Sequence, residues 1–153
     1  QLDGQIEKRQ TEKFVELCRD KEAVFHRAID CTYDIAIALK QLIDLGISRV
    51  LTSGGAATAE RGLEMIKMMM SIAQDRIEIL PGSGINDNNA VSIINNTGCN
   101  QVHGTFSRIE TPDAVFVPPI NFNEVVGLKP NDRIVTCGES IQQLITQFTT
   151  KTD

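Results

Sequence analysis

The sequence predicts an α/β protein of the (β/α) barrel type, with parallel strands covered by helices, and two observations lead to this fold class. Short apolar runs alternate with helical patterns in the order β-α-β-α-β-α-β, and the runs are too apolar for strands with one face in water. Three of the runs, within residues 25–30, 50–55 and 79–85, end in polar or glycine-rich residues directly before a helical pattern. An α/β barrel presents its chemistry at such junctions, so we expect the three to share one rim.

Hydrophobic periodicity locates the elements in chain order. Apolar residues recur every three or four positions in five segments, which predicts helices over 11–17, 34–45, 59–73, 88–95 and 139–148. Short continuous apolar runs predict strands over 23–28, 49–52, 76–80 and 101–103. Gly46 ends the second helix as a C-cap residue should, and Gly98 ends the fourth.

The region after the fourth strand has no sustained periodicity. Residues 104–136 carry prolines and glycines at irregular positions, so we expect an irregular excursion there. The periodic segment 139–148 then predicts a C-terminal helix that spans 138–149. The whole chain, 1–153, is predicted to be a single domain. A complete barrel needs about 250 residues, and the chain starts at Gln1 rather than at methionine. We therefore expect a partial barrel with sequence missing upstream.

Composition excludes several classes of protein. The chain has 15 Lys and Arg against 20 Asp and Glu, a formal charge of −5, so it lacks the basic surface that binds nucleic acid. No apolar run approaches the roughly 20 residues that cross a bilayer, and no secretory leader is visible, so we expect no membrane partner. We therefore expect a soluble protein of the cytoplasm.

Three sequence segments carry a family resemblance. FHRAID at 25–30, RVLTSGG at 49–55 and ILPGSGI at 79–85, with a later strand that ends in Val102-His103, resemble the CutC family in pattern, spacing and order. The resemblance covers about residues 2–107. It implies a TIM barrel of which this chain holds about the C-terminal half, strands 5 to 8, and a role in copper homeostasis.

Charged and imidazole side chains near strand ends are the candidate catalytic residues: His26, Arg27, Asp30 and His103. They can form a ligand-orienting cluster, in which His26 carries a proton and Arg27 clamps an anion. The alternative is structural. In that case Arg27 and Asp30 form a buried ion pair that ties strand to helix, and His26 is hydrogen-bonded in the core.

Glycine-rich turns after the second and third strands are candidate anion-binding sites. Glycine lets backbone N–H groups approach an anion, and the next helix N-terminus adds partial positive charge. The candidate residues are Ser53, Gly54, Gly82, Ser83 and Gly84. The alternative is that the glycines only form tight turns between strand and helix. Ser83 stands where the family usually has glycine, so its Cβ would narrow the approach or require an unusual φ.

Four widely spaced cysteines show no zinc-finger or disulfide pattern, and reduced thiols packed as small apolar side chains are one interpretation. A copper site is the other, because thiolates bind Cu(I), and Cys31 and Cys99 are its candidate ligands. The cysteines proposed to hold Cu(I) in the family have, by the resemblance, no counterpart here. A copper site inferred from the family is therefore incomplete in this chain.

Three functions remain open from the sequence. The first is a CutC-like role in copper homeostasis, with Cu(I) as the bound ion. The second is a barrel enzyme that acts on a small phosphorylated or otherwise anionic metabolite, and the third is a truncated, inactive half-barrel. A half-barrel leaves two open strand edges, which predicts self-association into a homo-oligomer.

Overall fold

A three-stranded parallel sheet forms the framework of the first part of the chain in the computed structural model, which describes residues 4–111, 113, 127–129 and 131–149. Its strands are β1 (Val24–Phe25), β2 (Arg49–Thr52) and β3 (Glu78–Pro81), in the order β1-β2-β3. Both ladders are parallel. This is the α/β arrangement of parallel strands that the sequence predicts.

Helices precede and connect these strands. They are α1 (Lys8–Cys18), α2 (Ile35–Asp44), α3 (Leu63–Ala73) and α4 (Ala90–Thr97), and a 3₁₀ turn at Arg27–Cys31 follows β1. Each helix overlaps a segment where periodicity predicts one, although α1 begins three residues before its predicted segment and α4 ends two residues after its own. The strand predicted over 23–28 is shorter because the chain turns at His26, and the strand predicted over 101–103 is reduced to a single bridge. In the described part of the chain, no helix has the length and apolar character needed to span a bilayer.

Burial alternates along the strands. Val50 and Ile79 are 0% and 3% exposed, whereas their neighbours Leu51 and Leu80 are only partly buried. Successive side chains of a strand point to opposite faces of the sheet. The sequence predicts two covered faces, but within the described residues one face is covered much less than the other.

The core lies on the covered face of the sheet. Its largest fully buried apolar side chains come from the 3₁₀ turn, the helices and β2: Ile29, Leu39, Leu42, Val50, Ile66, Met69 and Ile93. Burying an aliphatic side chain of this size contributes roughly 1.5 to 3 kcal/mol. The Asp34 carboxylate caps α2 by accepting from the Ile37 N–H at 2.9 Å, which fixes where that buried helix begins.

A polar network joins the amino ends of the strands. Arg49, the first residue of β2, donates from Nε to the Glu78 carboxylate at 2.6 Å and pairs with Glu22 at 3.3 Å. Gln101 donates to the same Glu78 oxygen at 2.8 Å. The hydrogen bonds from Gln101 and Arg49 lower the pKa of Glu78. The network therefore fixes the end of the sheet opposite to the strand ends that carry the candidate site.

The connection between β2 and α3 is closed by contact between two glycine backbones. A Cβ at Gly62 would overlap the carbonyl oxygen of Ser53, and a Cβ at Gly54 would lie 2.5 Å from the carbonyl oxygen of Gly62. Gly54 also has a φ of +68°, in the left-handed region that favours glycine. This tight connection occupies the start of the helix predicted over 59–73, so α3 begins at Leu63.

The described residues after Gly104 form a compact unit of their own, where the sequence predicts a single domain. In this unit β4 (Ser107–Glu110) pairs antiparallel with β5 (Arg133–Thr136), and α5 spans Gly138–Thr149. Both strands fall within 104–136, where the sequence predicts an irregular excursion; residues 112, 114–126 and 130 lie outside the described residues. Both strands are short and largely exposed, and polar residues stand at both ends of each. Their sequences therefore lack the continuous apolar runs from which buried strands are predicted.

Gly62→Ala is expected to lower the free energy of unfolding by about 3 kcal/mol, because the new methyl group overlaps backbone that no side-chain rotation can move. Gly98→Ala is the matched control. Gly98 has a φ of +77°, but a Cβ there meets nothing within 4 Å, so only backbone strain of about 1 kcal/mol is expected. Urea unfolding of both variants measures the difference, and equal losses would contradict the glycine contact.

Candidate functional site

The strand ends form a common rim. His26, Ser53 and Gly82 directly follow β1, β2 and β3, and the parallel pairing of these strands puts all three residues at one edge of the sheet. His103 joins this edge through a parallel bridge to Gly82, with its N–H donating to the Pro81 carbonyl at 2.8 Å. The rim therefore contains the strand ends that the sequence predicts to lie together.

The two histidines of the chain lie far apart along this rim. β2 and β3 stand between β1 and the bridge at His103, which gives three strand spacings. Neighbouring strands are about 4.8 Å apart, so the backbones at His26 and His103 are separated by about 14 Å. Both side chains are exposed. In this structure the two imidazoles do not form a catalytic pair.

The Asp30 carboxylate is the most extensively hydrogen-bonded group of the rim. Its Oδ1 accepts from the Thr52 hydroxyl at 2.5 Å and from the Gly55 N–H at 3.0 Å, and its Oδ2 accepts from the Ser53 N–H at 2.9 Å. The Ser53 hydroxyl and Arg27 Nε lie 2.9 and 3.0 Å from the same Oδ2. The Asp30 side chain is 6% exposed. Asp30 therefore joins the turn after β1 to the end of β2.

These hydrogen bonds determine the charge state of Asp30. Burial alone would raise the pKa of its carboxyl. Hydrogen bonds from the Thr52 hydroxyl, from the Gly55 and Ser53 N–H groups and from Arg27 lower this pKa by more than burial raises it. The net effect is a pKa below the usual range, so Asp30 is a carboxylate at neutral pH. The arrangement is that of the ion pair offered above as the structural interpretation.

Arg27 belongs to this network and also reaches solvent. Its Nε pairs with Asp30, and its Nη2 donates to the Ser53 hydroxyl at 2.7 Å and to the Ala56 carbonyl at 3.4 Å. Its side chain is 42% exposed. Nη1 donates to no described residue. The guanidinium is therefore fixed along one edge and open along another, as a residue that binds an external anion must be.

His26 caps the 3₁₀ turn. Its Nδ1 accepts from the Ala28 N–H at 3.1 Å, which assigns the proton of the neutral imidazole to Nε2. Its ring centroid lies 6.0 Å from that of Phe25. The side chain is exposed, so His26 is not the core histidine of the structural interpretation. Nε2 has no hydrogen-bond partner among the residues that the structure describes.

The first glycine-rich turn has its backbone donors occupied. The N–H groups of Ser53 and Gly55 donate to Asp30, and the Gly54 N–H donates to the Thr52 hydroxyl at 2.8 Å. The predicted anion-binding donors at Ser53 and Gly54 are therefore engaged by side chains of the protein. The structure corrects this part of the anion prediction, and the tight-turn alternative describes Gly54.

The second glycine-rich turn differs. Gly82 donates to the Thr52 carbonyl at 2.8 Å and so extends the sheet. Ser83 has a φ of +79°, the kind of unusual value expected for a serine at a position where the family usually has glycine. Its hydroxyl donates to the Ala57 carbonyl at 3.0 Å. The parallel bridge between Gly82 and His103 directs the Ser83 N–H toward the His103 carbonyl, whereas the Gly84 N–H bonds no described residue. One backbone donor, the N–H of Gly84, is thus without a described partner at this turn.

The candidate copper ligands lie in different environments. Cys31 is exposed at the end of the 3₁₀ turn, whereas Cys99 is 2% exposed. Burial raises the pKa of the Cys99 thiol, which disfavours the thiolate that binds metal. Among the residues that the structure describes, no group of three or more His, Cys, Asp or Glu side chains is assembled to hold a metal ion.

Three residues of the network were not among the sequence candidates. Thr52 and Gly55 flank the predicted Ser53 and Gly54. The signal that could have indicated them is the pattern of two hydroxyl residues followed by two glycines at the end of a strand. Ala56 contributes only its backbone carbonyl. No feature of the amino-acid type could have indicated that role.

The family comparison agrees with the motifs at the rim. The CutC family model matches residues 1–108. A CutC family protein from Treponema denticola is 41% identical over 137 residues, which covers 89% of this chain and 55% of the relative. A protein from Mus musculus named copper homeostasis protein cutC homolog is 42% identical over 101 residues, 66% of this chain and 37% of its own length.

A solved structure gives the same fold. The crystal structure of a CutC protein from Streptococcus agalactiae superposes with a TM-score of 0.63 at 30% sequence identity. The superposition covers 67% of this chain and 51% of that protein. The chain spans between 37% and 55% of the length of these three relatives.

The Asp30 network predicts a specific pH dependence of stability. Because the folded-state pKa of Asp30 is lowered, its contribution is complete above the unfolded-state pKa of about 3.9 and is lost as pH falls through the folded-state value. Asp30→Asn is expected to cost about 2 kcal/mol of unfolding free energy at pH 7. Urea unfolding from pH 7 to pH 3 should show this difference from the wild type shrinking below about pH 4. A difference that stays constant with pH would contradict the role of the charge.

Proposed function

The chain belongs to the CutC family, and from this premise we propose that it takes part in copper homeostasis in the cytoplasm, the process stated in the names of its mouse and human relatives. The observation that carries the proposal is the family match over residues 1–108, which includes the whole first unit and its rim. The strand-end residues lie within the matched range, and we propose that the activity depends on them.

Cys31 is the thiol that we propose for Cu(I), which is bound as cargo. Cu(I) is a soft ion that favours thiolate ligands, and Cys31 is the exposed member of the candidate pair. It directly follows Asp30 on the turn that leaves β1. Cys99 is buried, and its raised thiol pKa opposes metal binding. Copper binding should therefore depend on Cys31 and not on Cys99.

A second candidate function is the binding of a small anionic metabolite, and the open edge of Arg27 favours it. Arg27 and Ser83 contact the carbonyl oxygens of consecutive residues, Ala56 and Ala57. The guanidinium and the second glycine-rich turn therefore lie beside the same short segment. Together they offer a cationic group and a backbone N–H donor, and donors of these two kinds bind phosphates and carboxylates.

We further propose that the chain corresponds to about half of a TIM barrel, strands 5 to 8, and that it associates with a second copy. Among the described strands, β1 pairs only with β2, so its other edge is unpaired. Leu51 and Leu80 lie partly exposed on the less covered face of the sheet. Open parallel edges and apolar faces of this kind are covered by association in stable proteins.

A native mass spectrum of the anaerobically purified chain tests copper binding and association together. We expect a mass of two or more chains, with a copper increment that is lost in Cys31→Ser and kept in Cys99→Ser. Cys99→Ser is the matched control because it removes a buried thiol. Retention of copper by Cys31→Ser would exclude that thiol, and a stable monomer would refute the association.

Titration with inorganic phosphate tests the anion site. The wild-type chain is expected to bind phosphate, and Arg27→Gln should weaken the affinity by roughly tenfold, the effect of losing a charged hydrogen bond of about 1.4 kcal/mol. Arg9→Gln removes the same charge from α1, whose Val15 lies near Gly46 before the start of β2, and is the control. Calorimetry measures both affinities. Equal weakening in the two variants would mean that net charge, and not the rim, attracts the anion.

A further inference from the structure

Four donors converge on one point at the end of β2. Arg27 Nε, the Thr52 hydroxyl and the N–H groups of Ser53 and Gly55 all lie between 2.5 and 3.0 Å from the Asp30 carboxylate. We call these four groups the carboxylate cradle. Backbone N–H groups at a glycine-rich turn combined with a guanidinium are the groups by which proteins bind a free carboxylate or phosphate. Here a side chain of the same chain fills the position.

We infer that Asp30 is an internal ligand of this cradle: a positioning residue that holds Arg27 and the end of β2, and not a group that contacts substrate. The inference deepens the proposed anion-binding function and rests on it for the identity of the outside ligand. Asp30 is 6% exposed, so its carboxylate does not face the solution at the rim. The arrangement leaves Arg27 as the residue that presents charge outward.

The lone pairs of Asp30 support this assignment. A carboxylate offers about four acceptor sites, and both oxygens of Asp30 already accept several hydrogen bonds. The Ser53 N–H lies within 3.2 Å of Oδ1 as well as 2.9 Å of Oδ2, and the Ser53 hydroxyl lies 2.9 Å from Oδ2. No acceptor site is left for a substrate proton. Asp30 therefore cannot act as a general base without losing the contacts that hold the turn.

Removing the carboxylate while leaving the cradle should create a site for a small carboxylate from solution. Asp30→Ala leaves the four donors without an acceptor, in a space of the size of one carboxylate group beside the partly exposed Arg27. Formate has the same two oxygens and no further bulk. It should restore the hydrogen bonds that the alanine variant lacks, which no unrelated destabilised variant would show.

The test is thermal unfolding of Asp30→Ala in increasing formate, with chloride at equal ionic strength as the reference. At about ten times the dissociation constant, bound formate should raise the Tm by roughly 4 °C. The wild type and Leu42→Ala, which loses a core side chain that is 0% exposed, should show no such rise. If Asp30→Ala is unfolded, refolding by formate supports the inference. No formate effect beyond that on Leu42→Ala would overturn it.

A second measurement uses the wild-type chain and inorganic phosphate. An internal ligand predicts that the amide signals of Ser53 and Gly55 keep their chemical shifts at phosphate concentrations that move that of Gly84. Equal shifts at Ser53 and Gly55 would mean that phosphate displaces Asp30, which overturns the inference. If phosphate moves none of these signals, the anion-binding proposal fails and the formate result alone decides the role of Asp30.

Discussion

The Asp30 carboxylate is the interaction on which the rim depends. β1 contains two residues and, among the described strands, pairs with β2 alone, so its backbone hydrogen bonds hold it weakly. The carboxylate adds hydrogen bonds to the end of β2, fixes the first glycine-rich turn and orients Arg27. Its burial costs free energy that these hydrogen bonds offset. Loss of any of them is therefore expected to weaken the positions of the strand end, the turn and the arginine together.

The sequence predicted the order and type of the helices and strands in the first unit well. It predicted the hydrogen-bond partners at the strand ends less well. Helices such as α2 follow from buried residues at helical spacing, and a parallel sheet follows from apolar runs between them. The occupancy of the backbone donors at Ser53 and Gly55 could not be predicted, because it depends on a carboxylate 23 and 25 positions earlier that the fold brings back. The exposed strands β4 and β5 were missed because neither buries the alternating face from which a strand is recognised.

The two proposed activities share one short segment of chain. Cys31, proposed for copper, follows Asp30 directly, and Arg27, proposed for an anion, lies on the same 3₁₀ turn. A ligand at either residue therefore acts on a turn whose position Asp30 sets. The first glycine-rich turn, the most evident motif in the sequence, supports this segment from inside, and the open donors belong to Arg27 and to the second turn.

The contact between Gly54 and Gly62 has a further consequence for how the sequence can change over time. A side chain at Gly62 meets the Ser53 carbonyl, and one at Gly54 meets the Gly62 carbonyl, so the obstacle in each case is main chain. A clash between side chains can be relieved by a second, smaller residue elsewhere. A clash with a peptide group has no such second-site suppressor, so these two positions are closed to substitution whatever the rest of the sequence becomes.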